Sequence, residues 1–316
     1  MNNPKRPGVV AAHSVSRFVF TVPDLEEAKR FYKNFGLDVR EHSDHIDLYT
    51  FGHPHCWGQV YGNGKPKQIA YLSLGVYPED FEALKAAATR KGIALVAPHA
   101  LGSDDGFWVR DPEGVHVQVL VADKVTPNER AQTLGSIVKR NPIGVPIGPM
   151  RSETKQVRPR RLSHVLLFTS DVKRSLEFYC GVMGLRLSDY SGEIIAFTHG
   201  AHTSDHHLLA FAKSHGPGLH HTSWTVDHLD DVGLGMEQMR AAGYEKGWGV
   251  GRHVIGSNYF FYVRDPWGSF SEFSYDIDFI DAKTDWPATD YPAEDSMNLW
   301  GAPLPDYFIE NHEKQV

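Results

Sequence analysis

Sulfur and positive charge are both scarce in this 316-residue chain, and each scarcity removes a class of function. The two cysteines, Cys56 and Cys180, stand far apart and in no ligand-like spacing, which argues against a disulfide framework and a cysteine-built zinc site. A reducing cytoplasm is the expected compartment. Lysine and arginine number 32 against 39 acidic residues, a formal charge of −7, so a nucleic-acid or anionic-membrane partner is not expected. The sequence has no long unbroken apolar run and no cleavable leader at its N-terminus, and it reads as a soluble, non-secreted protein. With 41% hydrophobic residues it has apolar material for two ordinary domains, each with a core.

Histidine is plentiful, at 18 residues. His13, His42, His45, His53, His55 and His116 fall in the N-terminal half with no matching carboxylate pattern, and read as surface or packing residues. The C-terminal half is different. Gly251-Arg252-His253 is followed by Phe261-Tyr262, Asp265-Pro266, Gly268 and Glu272, with His164 and His221 upstream.

The chain also repeats itself. Phe107-Trp108-Val109-Arg110-Asp111-Pro112-Glu113-Gly114 matches Phe261-Tyr262-Val263-Arg264-Asp265-Pro266-Trp267-Gly268, each a strand entering a tight turn. A second pair begins at Arg17 and at His164. Each reads as a strand, an Asp (Asp24, Asp171) at a helix N-cap, an amphipathic helix and a Gly-Leu exit. A third match sets Tyr71 near His221. The N-terminal counterparts of His164, His221 and Glu272 are then Arg17 or Ser16, Tyr71 and Gln118, a poor set for a divalent ion. The expected organisation is a structural domain without a metal site at 1–123, a Pro- and Gly-rich linker at 124–160, a catalytic metal-binding domain at 161–280, and an aromatic tail at 281–316. That tail is expected to pack over the domain or a neighbouring subunit.

Alternate residues of a strand share a face, so His164, His221 and Glu272 on neighbouring strands of a curved sheet would converge. Two imidazoles and one carboxylate leave a divalent ion with open positions, the donor set of non-heme Fe(II) oxygenases. Strand alternation would turn His220 to the face opposite His221. Of the pair His206-His207, one is expected to line the site and the other to pack.

These residues resemble the type I extradiol ring-cleaving dioxygenases of the vicinal oxygen chelate superfamily, over nearly the whole chain. The string from Gly251 to Glu272 satisfies that family's signature without a mismatch. The resemblance implies an α+β fold of two similar domains, each of two paired βαβββ modules forming an open, barrel-like curved sheet. It implies His164, His221 and Glu272 as ligands to Fe(II), with Mn(II) as the alternative, and O2 as co-substrate. It makes His207 the catalytic histidine, and His253 and Tyr262 residues that bind substrate and stabilise its oxygens. The implied substrate is a small aromatic diol cleaved beside its hydroxyls, and the implied assembly is a homo-oligomer. Relatives acting on homoprotocatechuate place an arginine where Trp248 stands here, so an uncharged ring substituent against Trp248 is favoured, with Lys246 and Arg252 keeping an anionic one open. Two other readings compete: a non-redox metal-dependent isomerase of the same superfamily, and a metal-free protein that binds an aromatic ligand.

Overall fold

The computed structural model describes residues 4–131, 137, 143–145 and 148–313. Much of the linker expected at 124–160, and the last three residues of the tail, lie outside them. In the N-terminal half the chain runs β1 (Ala12–Val22), α1 (Leu25–Phe35), β2 (Asp38–Glu41), β3 (His45–Tyr49), β4 (Gly58–Gly62), β5 (Gln68–Val76), α2 (Pro78–Arg90), β6 (Phe107–Arg110) and β7 (His116–Val121). The C-terminal half runs β8 (Arg161–Thr169), α3 (Val172–Tyr179), β9 (Arg186–Ser191), β10 (Ile195–His199), β11 (Ser204–Asp205), β12 (Leu209–Lys213), β13 (Gly218–Thr225), α4 (Leu229–Ala241), β14 (Gly247–His253), β15 (Tyr259–Arg264) and β16 (Phe270–Tyr275). The tail adds β17 (Phe279–Ile280), β18 (Thr289–Asp290), α5 (Ala293–Ser296) and β19 (Asn298–Gly301).

The repeat is visible in hydrogen bonds as well as letters. Asp24 caps α1 by accepting from Glu27 N, and Asp171 caps α3 by accepting from Arg174 N. At the two Asp-Pro turns, Asp111 accepts from the N–H groups of Glu113 and Val115, and Asp265 from those of Trp267 and Ser269, all at 2.9 Å. Gly114 and Gly268 complete these turns at φ +85° and +98°, a backbone region glycine enters without steric cost.

Each half builds one large twisted sheet in which the first strands of its two modules pair antiparallel at the centre, β1 with β5 and β8 with β13, and β11 pairs separately with β17. The N-terminal order is β2-β3-β4-β1-β5-β7-β6, and the C-terminal sheet runs β18-β9-β10-β12-β8-β13-β16-β15-β14-β19. The second N-terminal module lacks a counterpart of β14. Pro98, with no N–H to donate, interrupts that segment, and an isolated bridge between Val96 and Trp108 is what pairs there. The two halves share a hydrophobic core, in which Phe35 of α1 stacks on Phe273 of β16 at 4.1 Å between ring centroids.

His42 and His45 depart from the expectation that no carboxylate accompanies them. The tight β2–β3 hairpin sets the two histidines opposite one another and brings Asp47, two residues along β3, onto the same face.

Candidate metal centre and active site

Strand register brings His164, His221 and Glu272 together. Ser223 of β13 lies opposite both His164 of β8 and Glu272 of β16, so His221, two residues before Ser223, shares their face. All three side chains are buried, and their ligand atoms lie within 4.8 Å of one another. Glu272 Oε2 is 3.3 Å from His164 Nε2 and 3.9 Å from His221 Nε2. Neither His221 Nε2 nor Glu272 Oε2 has a hydrogen-bond partner, although both atoms are buried. A buried acceptor without a donor costs about 1–3 kcal/mol, and more when charged. Two electron-rich atoms facing each other in this way fit a cation between them.

The surrounding hydrogen bonds fix which nitrogen is free. His220 Nε2–H donates to Phe308 O at 2.8 Å, and burial pushes the His220 imidazole down to about 4, so the ring is neutral and its Nδ1 is an acceptor. His221 Nδ1–H fills that acceptor at 2.6 Å, leaving His221 Nε2 as the lone pair aimed at Glu272. His220 is therefore not on the far face. β13 carries a bulge between Leu219 and His221, and the extra residue sets the two rings side by side, 4.9 Å apart. Glu272 Oε1 accepts from Asn258 Nδ2 at 3.0 Å, and His164 Nδ1 meets Ser163 Oγ at 3.2 Å.

His207 packs against His164 with 4.0 Å between ring centroids and the rings tilted by 50°. Burial, reinforced by the neighbouring His164 and His206, holds its basicity far below the ordinary histidine range. Behind it stands a chain that sequence reasoning missed: His206 joins His207 Nδ1 to Nδ1 at 3.0 Å, and its Nε2 meets Asp189 Oδ2 at 2.7 Å. The sequence carried a partial signal in the adjacent histidines, but none that pointed to Asp189 on another strand.

On the opposite wall His253 Nδ1–H donates to Met297 O at 2.9 Å, so its Nε2 accepts the Tyr262 hydroxyl, also at 2.9 Å. Burial first, and the Glu272 carboxylate second, push the Tyr262 phenol far above its ordinary range, so it stays protonated. Trp248 lies behind this pair. Its ring stacks nearly parallel to Tyr262 at 5.6 Å, and its indole N–H donates to Ala302 O. Phe308 closes the cluster against Trp248, Tyr262 and His220. The tail thus lies against the site, and Glu313 fixes its end through an ion pair with Lys67 at 2.6 Å.

A cavity of about 810 Å³ lined by Lys65, Arg110, His116 and Arg174 lies in another part of the molecule; Glu313 borders it, but none of His164, His207, His221, His253, Tyr262 and Glu272 does. Among the described residues no helix is long and apolar enough to cross a membrane.

Known proteins place this architecture. The chain matches the Glyoxalase/Bleomycin resistance protein/Dioxygenase superfamily over residues 14–119 and 161–273. It is 46% identical to metapyrocatechase 2 of Cupriavidus necator over 303 residues, 96% of this chain and 93% of that protein. It is 30% identical to an iron-dependent extradiol dioxygenase of Rhodococcus jostii over 153 residues, 44% of this chain and 50% of that protein. The crystal structure of homoprotocatechuate 2,3-dioxygenase from Arthrobacter globiformis superposes with a TM-score of 0.75 at 19% identity, covering 99% of this chain and 95% of that one, a likeness of fold. Since a single family accounts for both repeats and a relative aligns along almost the full length, this chain belongs to the Glyoxalase/Bleomycin resistance protein/Dioxygenase superfamily, among its extradiol dioxygenases.

Proposed function

We propose that this chain cleaves a catechol-type aromatic diol beside its two hydroxyls, inserting both atoms of O2 to give a ring-opened product, with Fe(II) held by His164, His221 and Glu272. The observation that carries the reading is the pair of unpartnered buried atoms, His221 Nε2 and Glu272 Oε2, facing one another beside His164. A divalent ion held by two neutral imidazoles and one carboxylate keeps a net positive charge and open positions, as an enzyme that must take both a diol and O2 requires. When bound, Fe(II) supplies Lewis acidity toward the diol oxygens and a redox link between ring and O2. Mn(II) has similar ligand preferences and is the alternative occupant.

The protein's own groups handle the protons. With its Nδ1–H given to His206, neutral His207 has a bare Nε2, which accepts a diol proton and returns it to oxygen as the O–O bond breaks. Asp189, behind His206, stabilises the positive charge His207 carries between those events. Tyr262, whose hydroxyl proton goes to His253, offers its phenol oxygen to a diol hydroxyl, and His253, tied to the Met297 carbonyl, holds that phenol in the pose that orients the ring. Trp248 and Phe308 back this pair and exclude water.

The substituent on the ring is uncharged in this reading. Arg252, the nearby candidate for a carboxylate, is stacked on Tyr259 and donates to Tyr259 Oη and Ser257 O. The reading extends to self-association, supported by exposed Leu299 and Trp300 on β19, the edge strand of the C-terminal sheet; light scattering on the eluting protein measures it.

The testing experiment loads the protein anaerobically with Fe(II) or Mn(II), adds catechol, 3-methylcatechol or 2,3-dihydroxybiphenyl, and admits O2. Yellow ring-fission product with matching O2 uptake is the expected result. Metal bound without colour or O2 uptake would instead favour a non-redox enzyme of the superfamily.

A further inference from the structure

The N-terminal sheet holds a second group of ligand-type side chains. His42 N donates to His45 O at 2.9 Å across the two-residue turn between β2 and β3, placing the two imidazoles opposite one another. Their rings lie face to face, 4.3 Å apart and within 7° of parallel. Asp47 projects from the same face of β3, with Oδ2 3.1 Å from His42 Nε2 and Oδ1 3.6 Å from His45 Nε2. One ligand atom from each residue lies within 4.8 Å of the others.

The neighbours of these residues are those expected around a metal. His45 Nδ1 meets Asp44 Oδ1 at 2.7 Å, the carboxylate contact that commonly orients a coordinating imidazole. Gln59 Nε2 donates to Asp47 Oδ1 at 2.8 Å, and Tyr61 stacks on His45 at 4.6 Å between centroids. Gln59 and Tyr61 lie opposite Asp47 and His45 on β4, so three strands hold the arrangement in place. In a neutral His45 whose Nδ1–H serves Asp44, Nε2 is a lone pair facing a carboxylate oxygen. Unlike the atoms of the catalytic triad, both Asp47 oxygens have partners, Oδ1 accepting from Gln59 and Oδ2 from His42; a cation would replace the His42 contact and draw in the His45 Nε2 lone pair.

We propose that His42, His45 and Asp47 form a second divalent-metal site, suited to an ion such as Zn(II) that accepts imidazole nitrogen and carboxylate oxygen. The site clasps the β2–β3 hairpin at the edge of the N-terminal sheet. His42 is the most exposed of the three ligands, so solvent completes the coordination and the ion exchanges more readily than one held in the buried triad. Its duty is to fix the hairpin, and ring cleavage does not need it.

The test uses the iron-loaded full chain. It is incubated with Zn(II), desalted, and read for iron and zinc per chain by mass spectrometry, alongside His42→Asn and Asp47→Asn. The wild type should retain one equivalent of zinc in addition to its iron. Both variants should lose that zinc while keeping iron content, turnover and far-UV circular dichroism. With Co(II) in place of zinc, the wild type alone should show visible d–d absorption beyond that of the catalytic site. No zinc beyond what displaces iron, or extra zinc retained equally by both variants, would overturn the assignment. Because iron and zinc are counted separately, failure at the catalytic triad and failure at this site give different results.

Discussion

His206 meets His207 Nδ1 to Nδ1 at 3.0 Å, and its other nitrogen is 2.7 Å from the Asp189 carboxylate. Asp189 is held in turn by Thr289 N and Trp286 Nε1 of the tail. This carboxylate–imidazole–imidazole chain decides where the His207 proton sits. Asp189→Asn should lower turnover by about 10–100-fold, the usual cost of removing the partner that orients a functional histidine, while KM and iron content change little. His207→Phe should likewise keep diol binding and lose turnover. Oxygen-uptake kinetics with metal analysis checks both, and unchanged kcat in Asp189→Asn would remove the chain from the mechanism.

A metal held at the proposed triad would satisfy its unpartnered atoms and so stabilise the fold. Saturating Fe(II) should raise the melting temperature of the wild type, since a ligand at 1,000 times its Kd adds about 4 kcal/mol. Glu272→Gln and His221→Ala should lose both bound iron and this rise. Anaerobic thermal unfolding with and without Fe(II) reads the difference, and iron retained at full occupancy by either variant would refute the ligand assignment.

Glu313 anchors the tail from a buried position. One oxygen accepts from Lys67 Nζ and Leu219 N, and the other from Ile69 N. Glu313→Gln removes the charge that Lys67 faces and should destabilise the protein by about 3–5 kcal/mol, the range for breaking a buried ion pair. Urea unfolding measures it, and a loss below about 1 kcal/mol, the level of an exposed pair, would place the tie at the surface.

Stability should also fall in mild acid. Burial pushes His13 and His199 down to about 3, with nearby cationic groups adding to the effect. The unfolded chain takes up these protons below about pH 6.5, whereas the folded chain refuses them until about pH 3, so the stability present above 6.5 is lost progressively between those values. Urea midpoints taken from pH about 7.5 down to about 5 should decline, and His199→Gln should flatten the slope. A wild-type midpoint that does not move over that range would mean that these rings titrate equally in both states.

Sequence alone determined whatever depends on local pattern. Asp24 and Asp171 are short polar residues just before amphipathic stretches, and both cap helices. The doubled Asp-Pro-x-Gly turn announced the duplication because its hydrogen bonds close within five residues. His164, His221 and Glu272 were legible because the repeat exposed them as departures from Arg17, Tyr71 and Gln118. Register bears out the correspondence: Arg17 and Gln118 both lie opposite Ser73, as His164 and Glu272 lie opposite Ser223.

Tertiary structure decided what alternation along one strand cannot express. Trp248 and His253 are five residues apart, an odd spacing that regular pleating would send to opposite faces. A bulge between Gly249 and Gly251 adds one residue to β14 and returns both to the wall against Tyr262. A second bulge turns His220 from an outward residue into the acceptor that sets the His221 proton. Asp189, Asn258 and the Met297 carbonyl joined the site through contacts between separate strands and the tail, and Asp47 reached His42 through the pairing of a hairpin. The sequence carries the residues proposed to supply chemistry, whereas proton placement depends on cross-strand distances that exist only once the sheets have closed.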